Sequence, residues 1–217
     1  MKPMSSKKNI LSIETSSNIC GISLISKDEC VDIIEEESNK KHAEILPEFY
    51  LKLKNSTGFI LDDIDAIAIS IGPGSFTGLR IGLSFAKGLA FSKNLPIIPI
   101  STMMSLAYSL KEDSPEGGII YSHAKRVFYQ DIKWHKKLPS PIGDIKVSEW
   151  NEIIDNAKST FQLNCESFDD GNSLMRASLS ASYVGLLASI NYNKLVIDKP
   201  YDLVPNYVSP FVVKPKK

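Results

Sequence analysis

The stretch from residue 64 to residue 93 constrains this chain more than any other. Ile64 to Ile71 (IDAIAISI) is an apolar run with no turn residue inside it, the pattern of a strand buried on both faces. Gly72-Pro73-Gly74 breaks the run, and a helix is expected from Ser75, a good N-cap, to about Lys93. Strand, glycine turn and helix in that order present backbone N–H groups at a helix N-terminus, so an anion site is the first functional expectation. The spacing matches no standard nucleotide fingerprint. Gly72-x-Gly74-x-x-x-Gly78 is not GxGxxG, and no Gly-Lys-Ser/Thr follows as in a Walker-type loop. Arg80 reads either as a phosphate ligand or as a surface or interdomain arginine.

The helix is more informative than the turn. Gly78, Gly82, Ala86 and Ala90 recur every four residues as a small-residue stripe, and Gly88 adds a third glycine. An interior glycine costs roughly 1 kcal/mol against alanine, so together they cost about 3 kcal/mol. A second backbone packed unusually close would offset that. Ile81 and Phe85 lie on another face, with Leu79 and Leu83 between, so the helix is apolar almost all round and covered on nearly every side. Its own sheet covers one side. Another helix of this chain or a partner covers the rest.

The flanking pattern supplies the fold class. Ile10 to Glu14, Cys20 to Ile25 and Val31 to Glu36 read as three strands in hairpin order. An amphipathic helix follows, with Ala43, Leu46, Phe49, Tyr50 and Leu53 at helical spacing. Pro47 makes it start near His42 to Ile45 or kink there. After the glycine helix, Ile97 to Ile100 reads as a short buried strand and Thr102 to Leu110 as a helix. The order βββαβαβα implies an α/β protein with a mixed sheet and helices on both faces. A second, shorter lobe begins near Glu116-Gly117-Gly118. It has strands at Ile119 to Ser122 and Arg126 to Lys133, and helices at Glu149 to Ser159 and Leu174 to Ile190. Pro139 to Gly143 and Cys165 to Asn172 read as polar loops. The expected division is residues 1–112 and 113–217.

Composition excludes several classes. Formal net charge is zero, against the basic excess of a domain that grips a phosphate backbone alone. The clusters Lys125-Arg126, Lys133 to Lys137 and Lys214 to Lys217 read as solvated surface charge. Cys20, Cys30 and Cys165 are too few and scattered for a disulfide or zinc framework; in the expected hairpin Cys30 faces Ile25 or Ser26, not Cys20. They read as free thiols in a reducing compartment. MKPMSSKKN has no apolar core, and no run is long enough to span a membrane, so a cytoplasmic location is expected.

The order ILSIETSSNICGISLI, HAEILPEFY and IDAIAISIGPGSFTGLRIGLSFAKGLAFSKNLPIIPISTMMSLA resembles the N-terminal lobe of the TsaB family over about residues 9 to 107. Its signature is Gly72, Pro73, Gly74, Ser75, Phe76, Thr77, Gly78 and Arg80. The resemblance implies an actin-like ATPase (ASKHA) fold of two lobes, each with a mixed sheet flanked by helices. It implies a non-catalytic subunit in the making of threonylcarbamoyladenosine in tRNA, with no cofactor or metal. Its partners would be the transferase TsaD and, in the larger assembly, TsaE, with self-pairing as a further mode and tRNA met only through the complex. The partner surface would lie on two helices and include Leu46, Phe49, Tyr50, Leu53, Ser75, Phe76, Gly78, Leu79, Gly82, Leu83, Ala86 and Ala90.

The departures from catalytic relatives point the same way. Thr102 and Leu106 fall where TsaD carries two metal-binding histidines, and leucine cannot coordinate a metal. His42, His123 and His135 form no ligand pair. Glu14 stands where such ATPases place an Asp, and Ser122 where a second acid is usual, which removes magnesium anchoring. Glu14, Thr15 and Ser16 read as a vestigial phosphate loop or as a tight turn. The tail Pro205-Asn206-Tyr207-Val208 is similar to a C-terminal element of the family. The alternative classes are an autonomous nucleotide-hydrolysing enzyme of the same fold and a regulatory homodimer.

Overall fold

The computed structural model of the chain describes residues 8–38, 41–154, 159–168 and 174–208. The expected terminal cluster Lys214 to Lys217, most of MKPMSSKKN, residues 155–158 of the expected helix and the end of the polar stretch at Asn172 lie outside them.

The first sheet follows from strands that, apart from the exposed third, bury both faces. β1 (Asn9–Glu14), β2 (Ile19–Ser26), β3 (Glu29–Glu37), β4 (Ala66–Ser70) and β5 (Ile97–Ile100) are ordered β3-β2-β1-β4-β5. The first hairpin is antiparallel, with Ile13 opposite Ile22, and Ile25 sits opposite Cys30 as the sequence implies. β1 pairs parallel with β4 and β4 with β5, so the sheet is mixed. One face carries Leu11, Ile13, Ile67 and Ile69 and is covered by α1 (His42–Thr57) and α2 (Phe76–Lys93). Pro47 lies inside α1 without ending it; the carbonyl that loses its donor belongs to Ala43, which is exposed to water.

The other face carries Ile10, Ala66, Ala68, Ile98 and Ile100. It packs on α3 (Thr102–Ser109) and α5 (Ala181–Ile190). The same cluster continues into Ile120, Phe128, Ile132 and Phe161 of the second sheet, so the lobes share one hydrophobic core. That sheet has the order β10-β9-β6-β7-β8, from β6 (Gly117–His123), β7 (Arg126–His135), β8 (Leu138–Glu149), β9 (Thr160–Leu163) and β10 (Met175–Arg176). α4 (Trp150–Ile154) closes its outer face, where Ile119, Val127, Trp150 and Cys165 cluster. α6 (Tyr192–Leu195) follows α5, and the tail beyond it returns along the first lobe, where Ile197 bridges to Ile97 at the free edge of β5.

Two second-lobe expectations are corrected. Pro139 to Gly143 is not a loop but part of β8. Pro139 and Pro141 stand opposite Trp134 and Ile132 on an edge strand, where a missing N–H costs no ladder bond. The helix expected from Leu174 begins only at Ala181. Met175 and Arg176 pair in parallel with Phe161 and Gln162, and the Ser180 hydroxyl caps the helix by accepting the Ser182 N–H at 3.1 Å. The helix expected from Glu149 opens at Trp150 as α4, and β9 carries no strand signal strong enough to anticipate it. α5, although C-terminal to residue 112, packs on β1 and β2 of the first sheet.

α5 can lie this close because of Gly185. A Cβ there would overlap Ile25 Cγ1 and stand 2.5 Å from the Ser12 hydroxyl. Gly185→Val should cost about 1–3 kcal/mol or more through overpacking, read as a lower urea midpoint with the far-ultraviolet spectrum retained. An unchanged midpoint would show that α5 has slack against the sheet.

Candidate functional site

The glycine segment is a junction of three backbones. The turn after β1 reaches over it from one side: Ser16 O accepts the Ser75 N–H at 2.6 Å. A Cβ on Gly74 would overlap the Ser16 carbonyl oxygen, one on Gly78 the Thr15 carbonyl oxygen, and one on Gly82 the Thr15 hydroxyl. From the other side comes the C-terminal tail. The Asn206 N–H donates to Ile71 O at 2.7 Å, and a Cβ on Gly72, which has φ 111°, would stand 2.5 Å from the Asn206 carbonyl oxygen. The Gly72–Pro73 bond is cis. Below, the Gly72 N–H donates to the Thr102 hydroxyl at 3.1 Å. Thr102, at a position where the resemblance places a metal-binding histidine, is thus buried and occupied in holding the loop.

The turn is itself held by Glu14. Its Oε1 accepts both the N–H and the hydroxyl of Ser16, each at 2.6 Å. Glu14 is fully buried beneath the turn, and its Oε2 has no hydrogen-bond partner; the neighbouring Ser70 hydroxyl has none of acceptable geometry either. Burial pushes its carboxyl up to about 7, against the pull of the Ser16 donors and with a smaller push from Glu35. Glu14-Thr15-Ser16 forms a tight turn packed on the glycine loop.

Arg80 is engaged by its own helix and by the C-terminal tail. Its guanidinium lies 3.8 Å over the Phe76 ring, and its Nε donates to the Tyr207 hydroxyl at 2.9 Å; the two rings are tilted at 38° with centroids 4.8 Å apart. The tail element noted in the sequence therefore closes over the signature residues, a contact no local pattern announces.

The stripe is turned inward. Gly78, Gly82, Ala86 and Ala90 are buried against this chain, as are Leu79 and Leu83, and on α1 so are Leu46, Phe49 and Leu53. This corrects the expectation that the stripe admits a partner helix: the approaching backbone is the chain's own Thr15–Ser16 turn. Of the expected interface residues, Tyr50 and Phe76 remain half-buried and Ser75 exposed.

Between the lobes lies a cleft of about 1450 Å³. One wall is the start of α2, with Ser75, Phe76, Thr77 and Tyr207. The other is the β6–β7 hairpin, from Ile120 to Arg126. Glu14 is not among its lining residues, and no group of His, Cys, Asp and Glu that could hold a metal occurs among the described residues. The three cysteines are free thiols, and no helix among the described residues is long and apolar enough to cross a membrane.

Two lobes with mixed sheets, meeting at a cleft above a glycine-turn helix, make this an actin-like, ASKHA-type protein. The model of the family described as TsaD, tRNA N6-adenosine threonylcarbamoyltransferase, matches residues 28–129. The tRNA threonylcarbamoyladenosine biosynthesis protein TsaB of Haemophilus influenzae is 34% identical over 148 residues, 67% of this chain and 61% of that one. The Escherichia coli protein of the same name is 38% identical over 98 residues, 45% and 42% of the two chains. A Pseudomonas aeruginosa crystal structure, described as an uncharacterized protein with similarity to peptidase YEAZ, superposes with TM-score 0.81 at 22% identity, covering 93% of this chain and all of that one. The chain belongs to the TsaB family, and its matched region spans less than two thirds of these curated relatives' length.

Glu14 gives the junction a pH signature. Its folded pKa of about 7 lies above the ordinary 4.5, so its contribution is fully present below pH 4.5 and lost as pH rises through 7. The shift corresponds to about 3 kcal/mol. Glu14→Gln keeps an acceptor for Ser16 and puts a donor toward Ser70. Between about pH 5 and pH 9 its melting temperature should stay flatter than the parent's, with the largest gain at the alkaline end. Parallel curves would show that Glu14 is ionised throughout.

Proposed function

We propose that this chain is the non-catalytic subunit that pairs with a TsaD-type transferase, in a cytoplasmic assembly that installs the threonylcarbamoyl group on adenosine in tRNA. TsaE completes the assembly, self-pairing uses the same surface, and the RNA is engaged as part of the complex. The chemistry belongs to the partner. In this chain, Glu14 is sealed beneath a turn and Thr102 is spent on the glycine loop. The lobe of residues 1–112 carries the pairing helices; that of residues 113–217 supports them through the shared core.

The observation that carries this reading is Gly88. Gly78 and Gly82 are explained by Thr15, but a Cβ on Gly88 would meet nothing within 4 Å, and the residue is exposed on α2. A glycine there costs about 1 kcal/mol of helix stability with no return inside the chain. At helical spacing it shares a side with Thr77, Ile81 and Ser84. Ile81, Phe85 and Leu89 are half-buried there, and Tyr50 of α1 meets Phe85 edge-on at 6.1 Å. Phe91 is 74% exposed and Leu51 56% exposed nearby on the same two helices. A helix of a partner laid along this seam would come close at Gly88 and cover apolar surface that water otherwise meets. The seam takes the place of the inward-facing stripe as the pairing surface.

Two substitutions separate pairing from folding. Gly88→Ala should raise monomer stability by up to about 1 kcal/mol. Gly88→Leu should leave the monomer folded but abolish co-elution with TsaD in gel filtration. Wild-type co-elution by Gly88→Leu would remove the seam from the interface.

A further inference from the structure

We infer that the lips of the interlobe cleft bind single-stranded RNA, with Tyr121, Lys125 and Arg126 of the second lobe touching the strand. The inference rests on the reading above, which makes tRNA the assembly's substrate, and it places part of that substrate on this chain.

Tyr121 is an unusual residue to leave open. It ends the buried run of β6, lines the cleft and is 37% exposed. Its ring packs on Phe168 at 5.8 Å, and Phe168 packs on Trp150 at the same distance. The ring is thus held rigid from behind, which lowers the entropy cost when a planar group stacks on it. Lys125 and Arg126 follow in the same hairpin, both exposed and both lining the cleft. The ion pairs among the described residues are Lys8–Asp65, Lys93–Asp62 and Lys137–Glu112, so neither cation is neutralised. Arg126 stands opposite Glu149 in the β7–β8 ladder without an ion pair. Across the cleft, Tyr207 lines the opposite wall, its hydroxyl accepting from Arg80 Nε. Aromatic faces next to uncompensated cations are the recurring means of holding an unpaired strand: rings take bases, cations take phosphates.

The dimensions favour a strand over a small nucleotide. A pocket for one small ligand is typically about 300–1,000 Å³ and encloses it; this cleft is about 1450 Å³. A duplex offers no free base faces to Tyr121, whereas a looped or splayed strand does. The few cations, on a chain with no net charge, set the affinity: a supporting grip that adds to a partner's rather than replacing it.

The test is fluorescence anisotropy of the full chain, alone and paired with TsaD, using an unstructured RNA of about 12 nucleotides, within the span such sites occupy. The Lys125→Ala, Arg126→Ala double variant should weaken binding roughly tenfold. It should also flatten the salt dependence by about 1.4 in log–log slope, about 0.7 for each phosphate that is no longer neutralised. Tyr121→Ala should weaken binding about fivefold or more with the salt slope unchanged. Thermal unfolding confirms that both stay folded. Parent-like binding by the variants overturns the inference, as does undetectable binding by the parent in both forms, or full displacement of the RNA by equimolar ATP. The variants should still co-elute with TsaD. If the parent bound RNA but never paired with TsaD, the subunit reading would fall and the RNA surface would stand.

Discussion

Around Gly72 to Gly82 three stretches of main chain meet with almost no side chain between them, and the rest of the molecule is arranged by that contact. The Thr15–Ser16 turn lies on one side and the Asn206–Tyr207 tail on the other. A Cβ at any of four positions would collide with an oxygen atom at the far side of the gap. Close-packed interiors have little slack, so a backbone seated this tightly fixes what it is attached to. Here it is attached to α2. One face of α2 lines the cleft, and another, with Gly88, faces outward. The inward contact thus places two adjoining surfaces, which meet at Thr77 and Ile81.

The lobes are tied a second way. α3 and α5 stand between the two sheets and contribute to a core that runs from Ile10 and Ala68 to Ile120 and Phe161. A large rotation of one lobe against the other would have to open that core. Exposing apolar area costs roughly 25 cal/mol per Å², so even a few hundred Å² would amount to several kcal/mol. The cleft is therefore largely preformed. A preformed trough suits a surface on which something rests better than a jaw that must close to exclude water from a reaction.

The first lobe was legible because most of its strands bury both faces and the break before α2 falls at glycines, so period and punctuation agree. The second was less so. β8 carries Pro139, Pro141 and Gly143, which suggest a loop; only knowledge that the strand lies at an edge makes the prolines acceptable. The stripe on α2 was visible, but its direction was not. A run of small residues says that something comes close, and a turn fifty or more residues away satisfies that as well as a partner does. The sequence signal that distinguishes the two is weak: Gly88 falls outside the four-residue register of Gly78, Gly82, Ala86 and Ala90, and the Thr15–Ser16 turn does not account for it. Arg80 posed the same difficulty. Its partner Tyr207 is far along the chain, and the local pattern suited a phosphate equally well.

Glu14 shows why an acid at the carboxyl end of a strand is poor evidence of chemistry by itself. It occupies the place where a metal-anchoring acid would stand, yet one oxygen receives two donors from Ser16 and the whole group is shut away from the cleft. Hydrogen bonds to a charged acceptor are roughly twice as strong as neutral ones, which favours an acid for pinning a turn. Burial opposes ionisation, and the balance lies near neutrality. A group so poised could serve as a proton donor only if something could reach it, and the Thr15–Ser16 turn that it stabilises is what covers it. The acid that fixes the glycine junction is for that reason withdrawn from reaction. The proposed contact surfaces, the outer seam of α1 and α2 and the lips of the cleft, do not include it.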